Sequence, residues 1–239
     1  MSQLDGRRVL ITGASSGIGA ATAEAITTAG GRVALLARRA DALNALAQRL
    51  DGVAVPADVV DADATARAVH RAATQLGGLD AVVNAAGVLR TGAVAQMSPA
   101  DMQLTFDVNV RGVLHVIRPA ITHIEAASTA DIVNISSMSG RRLKSAEMGV
   151  YAASKAAVHM LGEGLRLELG PKGIRVTTVA PGLVDTDLFG DEPAAARLHE
   201  KAAEVGLKPQ DVARTVVEVL GAPAHVLHPE IVLLPLAQQ

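Results

Sequence analysis

The chain has 239 residues and a formal charge of −2, from 22 basic and 24 acidic side chains mixed along its length. That balance excludes the electrostatic footprint of a nucleic-acid binder. It contains no cysteine, which excludes disulfides and thiolate metal sites. Nearly half of the residues are hydrophobic (49%), enough for one large core, so a single domain over 1–239 is expected. No segment approaches the ~18 unbroken apolar residues of a membrane span. The polar start Met1 to Arg8 leads into an apolar run too short for a signal-peptide core. The expectation is a soluble cytoplasmic protein.

Short β-branched runs alternate with longer amphipathic stretches. Val9-Leu10-Ile11 reads as a first strand, followed by a glycine turn and a helix from about Ile18 to Ala29. Val33 to Leu36 is the second strand, with a helix around Asp41 to Leu50. Val53 to Val55 is the third, and Asp61 is placed to cap a helix running to Leu76. Ala81-Val82-Val83 is the fourth strand. Ser98-Pro99-Ala100-Asp101 sets a capping serine before a proline at the first helical position. A long helical region, in one or two pieces, follows to about Ala127. Ile132 to Ile135 is the fifth strand, a helix over Tyr151 runs to about Leu169, and Ile174 to Val179 is the sixth. Pro209 opens a last helix, and Glu230 to Leu234 is the seventh strand. This alternation predicts an α/β fold: a Rossmann-type, doubly wound parallel sheet of about seven strands with helices on both faces. Residues 185–206 have the least clear periodicity and read as a loop-plus-helix insertion for substrate.

Two local patterns carry chemistry. Thr12-Gly13-Ala14-Ser15-Ser16-Gly17-Ile18-Gly19 lies between the first strand and first helix. Glycines there let the backbone approach a pyrophosphate resting on the helix N-terminus. Ile18 replaces the Lys that a P-loop requires. The second strand ends Leu36-Ala37-Arg38-Arg39, without the acid that would pair a ribose 2′-hydroxyl. Arg38 suits a 2′-phosphate, with Arg39 assisting or facing solvent, which favours NADP(H) over NAD(H). The second pattern is Tyr151, the only tyrosine, with Lys155 four positions on. At helical spacing the two share a face. A phenol titrates near pH ~10, and a nearby ammonium is expected to lower that value.

With Asn84-Ala85-Ala86-Gly87, Asn109, Ser137, Tyr151/Lys155 and Pro181-Gly182-Leu183-Val184-Asp185-Thr186 in this order, the sequence resembles the short-chain dehydrogenase/reductase family, in its compact tyrosine-dependent branch. The likeness covers essentially the whole chain. It implies a catalytic set of Asn109, Ser137, Tyr151 and Lys155. Tyr151 would exchange a proton with a carbonyl oxygen and Ser137 would hydrogen-bond that oxygen. Asn109 would hold a water serving Lys155, which would also reach the nicotinamide ribose. For cofactor it implies Gly13, Ser15, Ser16, Gly17, Ile18 and Gly19 at the turn. Asp58 and Val59 would meet the adenine, with Asn84, Ala85 and Gly87 after the fourth strand. Pro181, Gly182, Val184 and Thr186 complete the cofactor set, Val184 and Thr186 holding the carboxamide. The spacing of fourteen from Ser137 to Tyr151 is one longer than the family's usual, so Ser136 and Ser139 stay open as alternatives. The family also implies a homodimer or homotetramer.

Leu89, Met97, Met138, Leu143, Met148, Leu183, Leu188 and Phe189 are candidate substrate-pocket residues, aliphatic and adaptable. Arg141, Arg142 and Lys144 follow the serine segment and either meet an anionic substrate or form a solvated loop. No histidine pattern suggests a metal. The function expected is NADPH-dependent hydride transfer to a ketone or aldehyde, or the reverse oxidation of an alcohol. A carrier-linked ketoacyl reductase and a non-catalytic NADP(H) sensor are the alternatives.

Overall fold

The computed structural model describes residues 3–125, 127–143, 145–189 and 193–238. Among them, β1 (Arg8–Thr12), β2 (Arg32–Leu36), β3 (Val53–Ala54), β4 (Ala81–Asn84), β5 (Ala130–Ile135), β6 (Ile174–Pro181) and β7 (Glu230–Leu233) form one sheet. Every pairing is parallel, in the order β3-β2-β1-β4-β5-β6-β7. The central strands are buried on both faces, which is why they read as unbroken apolar runs. β3 is one residue shorter than the sequence suggests: Val55 lies outside the strand, although its N–H still donates to the Leu35 carbonyl at 2.9 Å.

Helices α1 (Gly17–Thr28), α2 (Ala40–Arg49) and α8 (Pro209–Leu220) cover one face, with Ile26, Leu43, Val212 and Val216 in a common core with β1 and β2. On the other face α3 (Ala62–Leu76), α5 (Gly112–Ile124) and α6 (Gly149–Leu169) pack Val69, Ile117 and Leu169 against Leu10, Val82 and Ile132. The caps form as the sequence predicts: Ala64 N donates to Asp61 Oδ1 at 2.9 Å, and Asp101 N to Ser98 Oγ at 3.0 Å. The long helical region is α4 (Pro99–Phe106) running into α5 through a π-helical turn, Asp107–Arg111. No described helix is long and apolar enough to cross a membrane.

β1 lies between β2 and β4, so the chain leaves in one direction from β1 and resumes on its other side. The crevice beyond the carboxyl ends of these strands is where such sheets bind ligands. α7 (Pro193–Val205) follows a short turn at Asp187–Phe189 and crosses above that edge. Ala202 is fully buried there, in one small cluster with Leu89 and Tyr151.

Candidate active site

A cavity of about 790 Å³ opens along the carboxyl edge of the sheet. The β1–α1 turn supplies Gly13, Ser15, Ser16, Gly17, Ile18 and Gly19 to its wall, and Arg38, Arg39, Asp58 and Val59 come from the ends of β2 and β3. Gly13 has φ +65°, and a Cβ on it would lie 2.8 Å from the Ala85 carbonyl, so the turn can seat against β4 only without a side chain. Gly17 has φ +54°, and its missing Cβ would point at Thr186 Cγ2, 3.3 Å away. α1 begins with no side-chain cap on Ser16 and no acid in its first turn. Its N-terminal N–H groups and dipole therefore face the cavity without an internal anion.

The two arginines are placed differently. Arg39 turns back on the glycine turn, donating to Ser15 Oγ at 3.2 Å and to the Ser15 carbonyl at 3.3 Å. Arg38 is 65% exposed and reaches Asp58 only at 3.9 Å, which leaves its fork of donors open to the cavity. Ala85, Gly87, Pro181, Gly182, Val184 and Thr186 also line the wall. Asn84 does not. It is buried beneath the floor, donating through Nδ2 to Asn134 Oδ1 at 2.9 Å between β4 and β5.

Ser137, Tyr151 and Lys155 meet in the same cavity. The Ser137 hydroxyl is near enough to the Tyr151 phenol to favour its ionised form. Ser137 Oγ also accepts from Ser139 N at 3.1 Å, whereas Ser136 Oγ is turned away to the Lys155 carbonyl at 3.0 Å. That orientation favours Ser137 over Ser136 as the serine facing the phenol. Lys155 Nζ donates to the Ile135 carbonyl at 3.0 Å and stands 5.9 Å from the centre of the Tyr151 ring. Burial acts on both groups in the same sense, against charge. It pushes the phenol up to about 12, opposed by the Ser137 hydroxyl, and brings the Lys155 ammonium down to about 8. The expected lowering of the phenol by Lys155 is not what the free chain shows: burial dominates, and the opposing influence comes from Ser137.

Asn109 sits in the π-helical turn, fully buried and outside the cavity lining. It clamps the segment after β4: Val88 N donates to its Oδ1 at 2.8 Å, and its Nδ2 donates to the Val88 carbonyl at 2.9 Å and to Ser154 Oγ at 3.0 Å. Through Ser154 the clamp reaches the helix that carries Tyr151.

Residues 7–197 match the family described as short chain dehydrogenase. The chain belongs to the short-chain dehydrogenase/reductase family. It is similar to glycine betaine reductase of Emericella nidulans, 38% identical over an alignment of 240 positions that covers 97% of this chain but 19% of that much longer protein. An oxidoreductase of Staphylococcus haemolyticus is 34% identical over 238 residues, covering 98% of this chain and all of the relative. Among solved structures, a short chain dehydrogenase from Burkholderia cenocepacia in complex with NADP superposes with a TM-score of 0.87. It is 34% identical and covers 98% of this chain and 97% of its own. The protein is thus a short-chain oxidoreductase.

Of the candidate pocket residues, Leu89, Met138, Met148, Leu183 and Leu188 line the cavity. Leu143 is a correction. It is half exposed and off the lining, because its loop turns it to solvent. Met97 is likewise off the lining and packs near Gly92. The side chain of Phe189, and Lys144, lie outside the described residues.

Some contributors escape sequence reasoning, and α7, inside the 185–206 stretch read as a substrate insertion, adds residues that the sequence does not single out. The segment after β7 forms part of the wall through Leu234, Pro235, Ala237 and Gln238, and Leu183 N donates to Gln238 Oε1 at 2.7 Å. α7 contributes Leu198, Lys201 and Val205. Behind Ser137, buried His159 sets Nε2 3.3 Å from the Ser137 carbonyl and Nδ1 3.2 Å from Glu230, which is itself paired with Arg141. Burial holds that imidazole below its ordinary value. A His four residues beyond Lys155 was visible in the sequence as a same-face neighbour, but nothing linked it to Glu230.

Proposed function

We propose that this chain is an NADP(H)-dependent reductase of a ketone or aldehyde, equally an alcohol dehydrogenase run in reverse. The observation that carries the reading is the buried Ser137–Tyr151–Lys155 cluster, which opens onto the same cavity that Arg38 and the glycine turn flank. The residues fit a phosphate-bearing dinucleotide: the uncapped N-terminus of α1 suits the pyrophosphate, and the unclaimed fork of Arg38 suits a 2′-phosphate. Arg39 braces the turn through Ser15, while Asp58 and Val59 flank the adenine end. Val184 and Thr186 take the carboxamide. When bound, NADPH supplies the hydride.

The chain's own groups supply the rest. With its phenol pushed up to about 12, Tyr151 keeps its proton across the neutral range, the state needed to protonate a carbonyl oxygen. Ser137 hydrogen-bonds the same oxygen and stabilises the charge that builds on it. Lys155, brought to about 8, is near enough to neutrality to take up and release protons under ordinary conditions. Asn109 acts as a positioning residue by fixing Val88 and Ser154 on either side of the phenol helix. Exposed Met160 and Leu167 on α6 support association of this helix with a second copy.

Binding of NADPH and NADH followed by nicotinamide fluorescence tests the cofactor half, since the chain has no tryptophan to interfere. NADPH should bind at least about tenfold tighter, the scale of one charge-assisted contact. Arg38→Asp should reverse the order. Equal binding, or an order that Arg38→Asp leaves alone, would remove Arg38 from the phosphate site.

A further inference from the structure

The cavity wall around Tyr151 is apolar: Leu89, Met138, Met148, Leu183, Leu188 and Leu198. Two cations break that wall, Arg142 from the loop after Ser137 and Lys201 from α7. Both are exposed at the mouth, and neither makes an ion pair or side-chain hydrogen bond among the described residues. Their neighbours differ. Arg141 is committed to Glu230 through both ends of its guanidinium. Arg90, also on the wall, lies 3.3 Å from Asp101. The acidic lining residues are Asp58, which faces Arg38 at the cofactor end, and Asp187, at the start of the turn before α7. Among the described residues, no carboxylate pairs with Arg142 or Lys201.

We infer that the carbonyl substrate carries an anionic group, carboxylate or phosphate, which Arg142 and Lys201 hold while the carbonyl meets Tyr151. This rests on the reductase reading of the same cavity. Arg142 offers a planar fork of donors that matches either anion, and Lys201 adds a point charge from a separate segment. Because both side chains are exposed at the mouth, their attraction for an anion is open to screening by salt. Of the three charges in the loop after Ser137, Arg142 lines the cavity, Arg141 is held by Glu230, and Lys144 lies outside the described residues.

Two matched pairs of substrates test it: levulinate against methyl levulinate, and acetol phosphate against acetol, each with NADPH at low salt. The anionic member of one pair should show kcat/KM about tenfold or more above its neutral partner, mostly through KM. The pair that responds tells carboxylate from phosphate. Arg142→Gln and Lys201→Gln should each lower the anionic-to-neutral ratio several-fold, and the double variant should bring it near one. Raised salt should shrink it too. Because each ratio is internal to one variant, a general loss of activity does not imitate the result. Neutral members turned over as well as anionic ones, or a ratio that both substitutions leave unchanged, overturns the inference while the reductase reading stands. Turnover of no carbonyl of either kind overturns the reductase reading, and the inference with it.

Discussion

At the amino edge of the sheet, Asp131 accepts from Arg7 at 2.7 Å and from Arg175 at 2.8 and 2.9 Å, and Arg175 Nη1 also reaches the carbonyls of Ala222, Pro223 and Val226. Asp80 is gripped in the same way by Arg8. At the carboxyl edge of the same strands, Arg38, Arg142 and Lys201 face a cavity, and the buried Tyr151 and Lys155 are both held toward neutrality. Charge at one edge is consumed in tying β1, β5, β6 and the end of α8 together. At the other it is left for something that is not protein. The contrast separates residues that hold the fold from residues that wait for a ligand, although both sets are equally polar.

The separation can be broken by substitution, most strongly at Tyr151. Tyr151→Phe should lower carbonyl turnover by about 10²–10⁴-fold, the usual worth of a general acid. Thermal stability and NADPH affinity should stay close to those of the parent, since only the contact with the Ser137 hydroxyl is lost. Residual turnover within about a factor of two would remove the phenol from the chemistry. At the other edge the signature should be inverted. Asp131→Ala leaves Arg175 buried without its partner, which should cost about 3–5 kcal/mol in urea unfolding with KM little changed. A loss below about 1 kcal/mol would mean that the amino edge does not hold the fold.

A pH titration of the free chain sharpens the comparison from within the cavity. Lys155 has its value lowered from 10.5 to about 8 by burial, so between those limits the unfolded chain holds a proton that the folded chain has released. Stability therefore rises with pH across that window. Tyr151 works in the opposite direction at higher pH. From 10.0 to about 12 the folded chain keeps a proton that the unfolded chain loses, and stability falls. Unfolding midpoints should climb from about pH 8, gaining on the order of 2 kcal/mol, and turn over past about pH 10. In Lys155→Met the climb should vanish; a slope that persists would belong to another group.

What the sequence made legible was local. The glycine turn, the Asp61 and Ser98 caps and the four-residue step from Tyr151 to Lys155 depend on neighbours within a turn or two, and each stands where its spacing puts it. The parallel sheet of about seven strands was within reach because parallel pairs need crossovers, but their order was not. What stayed hidden depends on contacts between distant segments. Arg39 is drawn to Ser15 across the turn, Glu230 claims Arg141, and Lys201 joins Arg142 from another part of the chain. The pKa expectation for Tyr151 failed for a related reason: spacing showed the Lys but not how thoroughly the fold would dry both groups.

Gln238 presents the smallest of these effects. Its Oε1 accepts from Leu183 N, and Gly182 N donates to the Leu233 carbonyl at 2.7 Å, so the segment after β7 grips the strip from Pro181 to Thr186 at two successive residues. That strip lines the cavity beside Tyr151, and a side chain on Gly182 would collide with Gln238. If the carboxyl edge is built for ligands, releasing this grip should be felt in binding more than in folding. Gln238→Ala removes one acceptor, worth about 1 kcal/mol, and should raise KM for NADPH and for the carbonyl several-fold with kcat changed less. Gln238→Glu keeps an acceptor oxygen of the same reach and should restore most of the loss. A Gln238→Ala variant that unfolds earlier in urea by about the same 1 kcal/mol, with KM untouched, would place Gln238 with Asp131 among the residues that hold the fold.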